Sequence, residues 1–320
     1  MKKRSLLVIL LILTLCLLSA ACSNSAKNAN LTMATGGTSG TYYAFGGVVA
    51  SVLNDADIGV NINVNSTGAS AENVNLIGSG DADLAILQND VLDYAYHGTN
   101  TWEGKPTVTN TMVLAALYPE VCQIIAVADS GISSVADLKG KSVSIGDVGS
   151  GVETNAKQIL AAYGLSPADI KVQNLGFAES AEAMKNRTLD ACFITAGIPN
   201  TAVLDLATSR NLTVIPVDGP EAAALMADYP FYAVTTITPS VYSFLSADVT
   251  TICVQATLIC SRSMDDNIAY NIVKTLFEKA PDITLGHEKG SYLSPAYGVQ
   301  GVSLDFHPGA KKYYQEAGVL

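Results

Sequence analysis

Leu31–Asn54 reads LTMATGGTSGTYYAFGGVVASVLN and Lys141–Leu165 reads KSVSIGDVGSGVETNAKQILAAYGL. Each passes from a short apolar strand, through a glycine-rich turn containing Ser-Gly, into a helix. Ser39-Gly40 aligns with Ser150-Gly151. The apolar faces are Tyr42, Phe45, Val49, Val52 and Leu53 in the first helix and Ala156, Ile159, Leu160 and Tyr163 in the second. Their spacing is that of a half-buried helix. The similarity continues outward. VNINVNSTG (60–68) and IKVQNLG (170–176) read as strands ending at Gly68 and Gly176. SAENVNLIGSG and SAEAMKNR then supply short helices, and GDADLAIL (80–87) and TLDACFIT (188–195) supply buried strands. Two βαβαβ units in the same order predict an α/β protein of two parallel-sheet lobes, covered on both faces.

The chain has 320 residues, enough for two domains. It is 49% hydrophobic and 15% charged, which excludes collagen-like, disordered and low-complexity classes. Eighteen Lys+Arg face 29 Asp+Glu, for a net charge of −11. Such a surface repels phosphate backbones, so no nucleic-acid partner is expected. Electrostatic docking on anionic lipid is equally disfavoured.

Residues 1–22, MKKRSLLVILLILTLCLLSAAC, place three basic residues before an apolar run and small residues before Cys22. This is the layout of a secretory signal peptide. Ser-Ala-Ala-Cys resembles a bacterial lipobox, which would make Cys22 a lipidated N-terminus, and 23–30 reads as a polar tether. The predicted location is extracytoplasmic, anchored by lipid to the cell membrane. Cys122, Cys192, Cys253 and Cys260 read as small buried hydrophobes, with no spacing that suggests a metal site.

Thr111–Ala128 is strand-like with a break at Tyr118-Pro119, and Tyr229-Pro230-Phe231-Tyr232 leads into further strands. The expected organisation is a discontinuous first lobe, 31–118 and 230–320, with 119–229 inserted as the second. Ile268, Ile272, Val273, Leu276 and Phe277 mark a long helix, and His307-Pro308 opens the last one. Two crossovers leave a cleft that closes by hinge bending.

Ligands of open parallel sheets sit at the carboxyl ends of strands, where helix N-termini converge. Both Ser-Gly turns fall there. Glycine admits a ligand close to the backbone, and the amides of a helix start favour an anion. The candidate ligand-binding residues are Gly37, Thr38, Ser39, Gly40, Tyr42, Tyr43, Thr67, Gln88, Ser150, Gly151, Thr154 and Thr195. Tyr42 also belongs to the core periodicity, and the hydroxyls also suit helix caps. No catalytic residue, cofactor or metal is expected. His97, His287 and His307 are scattered, and no HExxH, Walker A or GxSxG motif occurs.

Several stretches resemble the TAXI family of solute-binding proteins of tripartite ATP-independent periplasmic (TRAP) transporters. They are GGTSGTYYAFGG (36–47), STGASAENVNLIGSGDADLAILQND (66–90), LYPE (117–120) and DLKGKSVSIGDVGSG (137–151), then DACFITAG (190–197), YPFY (229–232) and HPGAKKYYQEAG (307–318). The resemblance implies a type II periplasmic-binding fold that closes on a small organic acid or amino acid of the glutamate and dicarboxylate class. It also implies delivery to integral-membrane TRAP permease subunits, with ligand contacts in Gly37–Tyr43 and Ser150–Thr154. Two departures stand out. Val152 replaces a threonine common at the second turn, and Arg187, Arg210 and Arg262 lie away from the matched strand ends. Carboxylate binding would rest on amides and hydroxyls, which leaves a neutral or zwitterionic ligand open. The alternative readings are a binding lipoprotein of an ABC importer or sensor, and an exported α/β enzyme.

Overall fold

The computed structural model describes residues 28–320. The predicted signal peptide, Cys22 and most of the tether lie outside the described residues. β1 (Ala29–Ala34) begins inside the expected tether, because Ala29 and Asn30 pair in parallel with Val60 and Asn61. There follow α1 (Thr41–Asp55), β2 (Val60–Asn65), α2 (Ser70–Ser79), β3 (Leu84–Gln88) and α3 (Asn89–His97). β1 lies between β2 and β3, parallel to both.

β4 (Thr111–Val127) runs on to a second unit: β5 (Ser142–Ser144), α4 (Gly151–Ala162), β6 (Lys171–Gln173), α5 (Phe177–Lys185) and β7 (Ala191–Ala196). Here β5 lies between β6 and β7, again parallel to both. The two units therefore share one topology. α6 (Thr201–Ala207), β8 (Leu212–Ile215), α7 (Gly219–Asp228), β9 (Ala233–Ile237) and β10 (Val249–Ser261) come next. The chain closes with α8 (Asp266–Glu278), α9 (Ala280–Gly286), α10 (Pro295–Gly298) and α11 (Pro308–Glu316).

The strands form one mixed sheet, in the order β2-β1-β3-β10-β4-β7-β5-β6, with β8 on β4 and β9 on β10. The two parallel halves are joined by the long antiparallel strands β4 and β10. Against the expected break, β4 continues through Pro119, which sits opposite Gln255. The pairing slips between Ala256 and Thr257, and such an irregularity is where a strand accommodates proline. Tyr232, Ile252 and Val254 pack with Ile124, Ile159 and Phe193 of the second unit, and Ile237 and Tyr242 pack with Ile194. Ala256, Leu258 and Cys260 pack instead with Met33, Phe45 and Leu114 of the first. The return crossing thus falls inside β10, not at 229–230 as the Tyr-Pro punctuation suggests. All four cysteines of the described region are free and buried.

α11 docks on α8 at Gly309. A Cβ there would overlap the Asp266 carbonyl oxygen and stand 2.7 Å from Tyr270 N. Both obstacles are backbone, so the helices would have to part. Gly309→Ala is expected to destabilise the chain by about 2 kcal/mol. Gly47→Ala, where a Cβ meets nothing within 4 Å inside α1, is expected to stabilise slightly. Urea midpoints of the two variants check this; equal midpoints would refute the close approach.

Candidate functional site

The two Ser-Gly corners open onto one cavity of about 260 Å³. Gly37, Thr38, Ser39, Gly40, Tyr42 and Gln88 line it from the first lobe, and Ser150, Gly151 and Thr195 from the second. Gly40 precedes α1, which has no side-chain cap, so the first amides of that helix remain free of side-chain acceptors. Ser150 differs from its counterpart: its hydroxyl caps α4 by accepting from Glu153 N at 3.1 Å.

Three expected residues lie outside the lining. Tyr43 is turned away from Tyr42 by one helical step and is exposed. The hydroxyl of Thr67 stays within its own lobe, where it reaches Asn73 Oδ1 at 2.6 Å and the Thr35 carbonyl at 2.9 Å. Thr154 is buried one turn into α4, with its hydroxyl 3.5 Å from the Ser150 carbonyl.

The lining residues that sequence reasoning missed include three acidic side chains and one aromatic: Glu120, Asp147, Phe177 and Glu179. Glu120 belongs to the LYPE stretch, and Phe177 follows the landmark Gly176, so both had a sequence signal. Glu120 is 2% exposed and accepts a short hydrogen bond from the Tyr42 hydroxyl. Burial pushes its pKa well above the usual carboxylate range, although the bond from Tyr42 opposes this. Burial also raises the Asp147 pKa, and nearby Glu179 adds to the rise. The lining contains no lysine, arginine or histidine. The dicarboxylate part of the expected ligand class therefore meets acidic side chains and no cation. Ala69, also in the lining, holds φ at +70°, so backbone strain of about 1–3 kcal/mol sits at the cleft.

The lobes touch across the cleft. Ala71 N donates to the Gly149 carbonyl at 3.2 Å, and Thr201 Oγ1 to the Ser39 carbonyl at 3.1 Å. Lys289 Nζ donates a short bond to the Ile198 carbonyl. Deeper in, Asn155 Nδ2 donates to Asp90 Oδ2 at 3.0 Å and to the Tyr232 hydroxyl at 2.8 Å. These contacts describe a closed arrangement. Among the described residues, no three His, Cys, Asp or Glu side chains are placed to hold a metal.

Solved structures with this architecture include the alkanesulfonate-binding protein SsuA from Xanthomonas axonopodis pv. citri bound to MOPS. It is 15% identical with a TM-score of 0.52, over 91% of this chain and 85% of that one. A putative L-cystine ABC transporter protein from Listeria monocytogenes is 13% identical, with a TM-score of 0.53 over 82% and 95%. An ancestral arginine-binding protein bound to arginine is 15% identical, with a TM-score of 0.51 over 82% and 98%. At these identities the likeness establishes the fold, the α/β architecture of periplasmic binding proteins. Sequence establishes the family: its profile matches residues 33–318, and the chain belongs to the NMT1-like family.

Proposed function

We propose that the chain is an extracytoplasmic solute-binding protein and not an enzyme. It closes over one small polar molecule between its lobes and delivers it to a membrane permease. The observation that carries this reading is a shared cavity lined by both Ser-Gly corners, one from each lobe, beneath contacts that hold the lobes together. The motif resemblance supports amino acids and small organic acids as the solute class. Lipidation at Cys22 would keep the loaded protein beside its permease.

For the permease, the similar solved structures favour an ABC importer, since one of them is named as an ABC transporter protein. TRAP delivery rests on the quoted motifs alone. Uptake into cells or vesicles separates the two: an ABC importer stops on ATP depletion, whereas a TRAP permease stops when the ion gradient is collapsed. Native mass spectrometry of the protein purified from its cells tests solute capture directly. One stoichiometric small molecule is expected; substrate turnover would favour an enzyme instead.

Closure itself is testable at Lys289. This side chain is 5% exposed, in the turn Glu288–Tyr292 of the first lobe, and its partner Ile198 belongs to the second. A hydrogen bond to a charged group is worth about 1.5–3 kcal/mol. Lys289→Met is expected to weaken solute affinity by about tenfold or more, and to enlarge the ligand-bound radius in small-angle scattering. An unchanged affinity and radius would remove Lys289 from the closing mechanism.

A further inference from the structure

The charge of the cleft points to the charge of its occupant. Asp147 and Glu179 line the cavity, and no basic side chain does. Glu120 lines it too, but burial disfavours its charged form, so the acidic wall is the Asp147–Glu179 pair. Asp147 and Glu179 stand together at the start of α5. A Cβ on Gly176 would lie 3.3 Å from Asp147 Oδ2, and Gly176 N donates to Glu179 Oε2 at 3.2 Å. A second observation is independent of these carboxylates. Gln88 ends β3, is 2% exposed and lines the same cavity. Its Oε1 is buried with no hydrogen-bond partner. A buried carbonyl oxygen calls for a donor, and a bound molecule is well placed to supply it.

Building on the solute-binding reading, we infer that the occupant presents a positively charged N–H group, an ammonium or guanidinium, to Gln88 and the acidic wall. The occupant carries no net negative charge. Asp147 and Glu179, two neighbouring carboxyls with no basic side chain in the lining, favour such a group and disfavour a second anion. An anionic end of a zwitterion still has a place, because α1 begins without a side-chain cap. A dicarboxylate would bring two negative charges to a cavity that offers no counter-charge.

The test uses the purified chain and six probes. L-arginine, L-lysine and L-glutamine carry an ammonium group and no net negative charge; succinate, 2-oxoglutarate and L-glutamate are net anions. At least one of the first three is expected to raise the melting temperature and to bind in calorimetry, and the anions are expected to do neither. Asp147→Asn with Glu179→Gln should weaken the bound amine by about tenfold or more. Should that variant lose its cooperative melt, Asp147→Asn alone decides by the same threshold. An anion binding as tightly as the best amine overturns the charge assignment and leaves solute capture standing. So does a solute retained from cells that lacks a cationic nitrogen, or an unchanged affinity in the variant. A protein that retains nothing and responds to none of the six overturns solute capture, and the charge assignment with it.

Discussion

Gly151→Leu is expected to weaken solute binding by roughly a hundredfold while leaving the chain folded. Gly151 is the first residue of α4 in the second lobe, and Gln88 ends β3 in the first. A Cβ at 151 would overlap Oε1 and Cδ of Gln88 and stand 2.7 Å from its Nε2. A side chain at this point therefore cannot coexist with Gln88 in its present position. Gly151 does not need unusual backbone angles, and a helix start tolerates leucine, so the second lobe should fold. What fails is closure: either Gln88 is pushed from the cavity or the lobes stand apart. Overpacking of this kind costs about 1–3 kcal/mol. Leucine also fills part of the space the solute occupies. Together these predict a loss of roughly a hundredfold in affinity, about 2.8 kcal/mol. Calorimetry with the solute recovered from the native protein measures it, and the melting temperature of the empty protein controls for folding. Undiminished affinity would mean that the cavity between the corners is not where solute sits.

That prediction shows what local sequence reveals and what it hides. The repeat is legible because strand, turn and helix periodicities are local, and both units fold as their spacing implies. The two corners look equivalent as sequence, yet they differ in the fold. A Cβ on Gly40 meets the Gly37 carbonyl at 3.1 Å and a Phe177 ring carbon at 3.7 Å, a milder conflict than that at Gly151. Sequence also cannot say which hydroxyls are already committed, so Thr67 and Thr154 read as ligand donors. Tyr43 lies outside the lining for a simpler reason: adjacent helical residues point in different directions. Glu120 escapes notice because its role depends on β4 running unbroken past Pro119 and meeting Tyr42, 78 positions away in the chain. The return crossing is misplaced because β10 serves both lobes in one strand, and composition does not change where its partner does.

Asp90 was equally hidden, and it carries the second large expectation: the stability of this protein should depend on pH through a buried carboxyl that links the lobes. Asp90 is the second residue of α3 and is fully buried. Oδ2 accepts from Asn155 of α4, and Oδ1 accepts from the Val91 amide at 2.9 Å. Asn155 in turn donates to Tyr232, whose hydroxyl donates to Gln158 Oε1 at 2.5 Å. This network contains no cation. Burial raises the Asp90 pKa from 3.8 to about 7; the bonds from Val91 and Asn155 oppose the rise, and Asp93 adds to it. Between about pH 4 and pH 7 the folded protein keeps a proton that the unfolded chain has already lost. Unfolding then releases a proton, so stability falls as pH rises through that window and levels off above it. A shift of about three units at 1.36 kcal/mol each sets the limit near 4 kcal/mol. Glu120, raised in the same direction by burial, slopes the same way. Asp90→Asn keeps an acceptor for Asn155 and removes the titration. The stability of this variant relative to the parent should therefore increase by several kcal/mol between pH 4 and pH 8. Urea unfolding of both proteins across that range measures the difference. A constant difference would show that Asp90 keeps an ordinary pKa, and that the lobes are joined there by an ionised carboxylate.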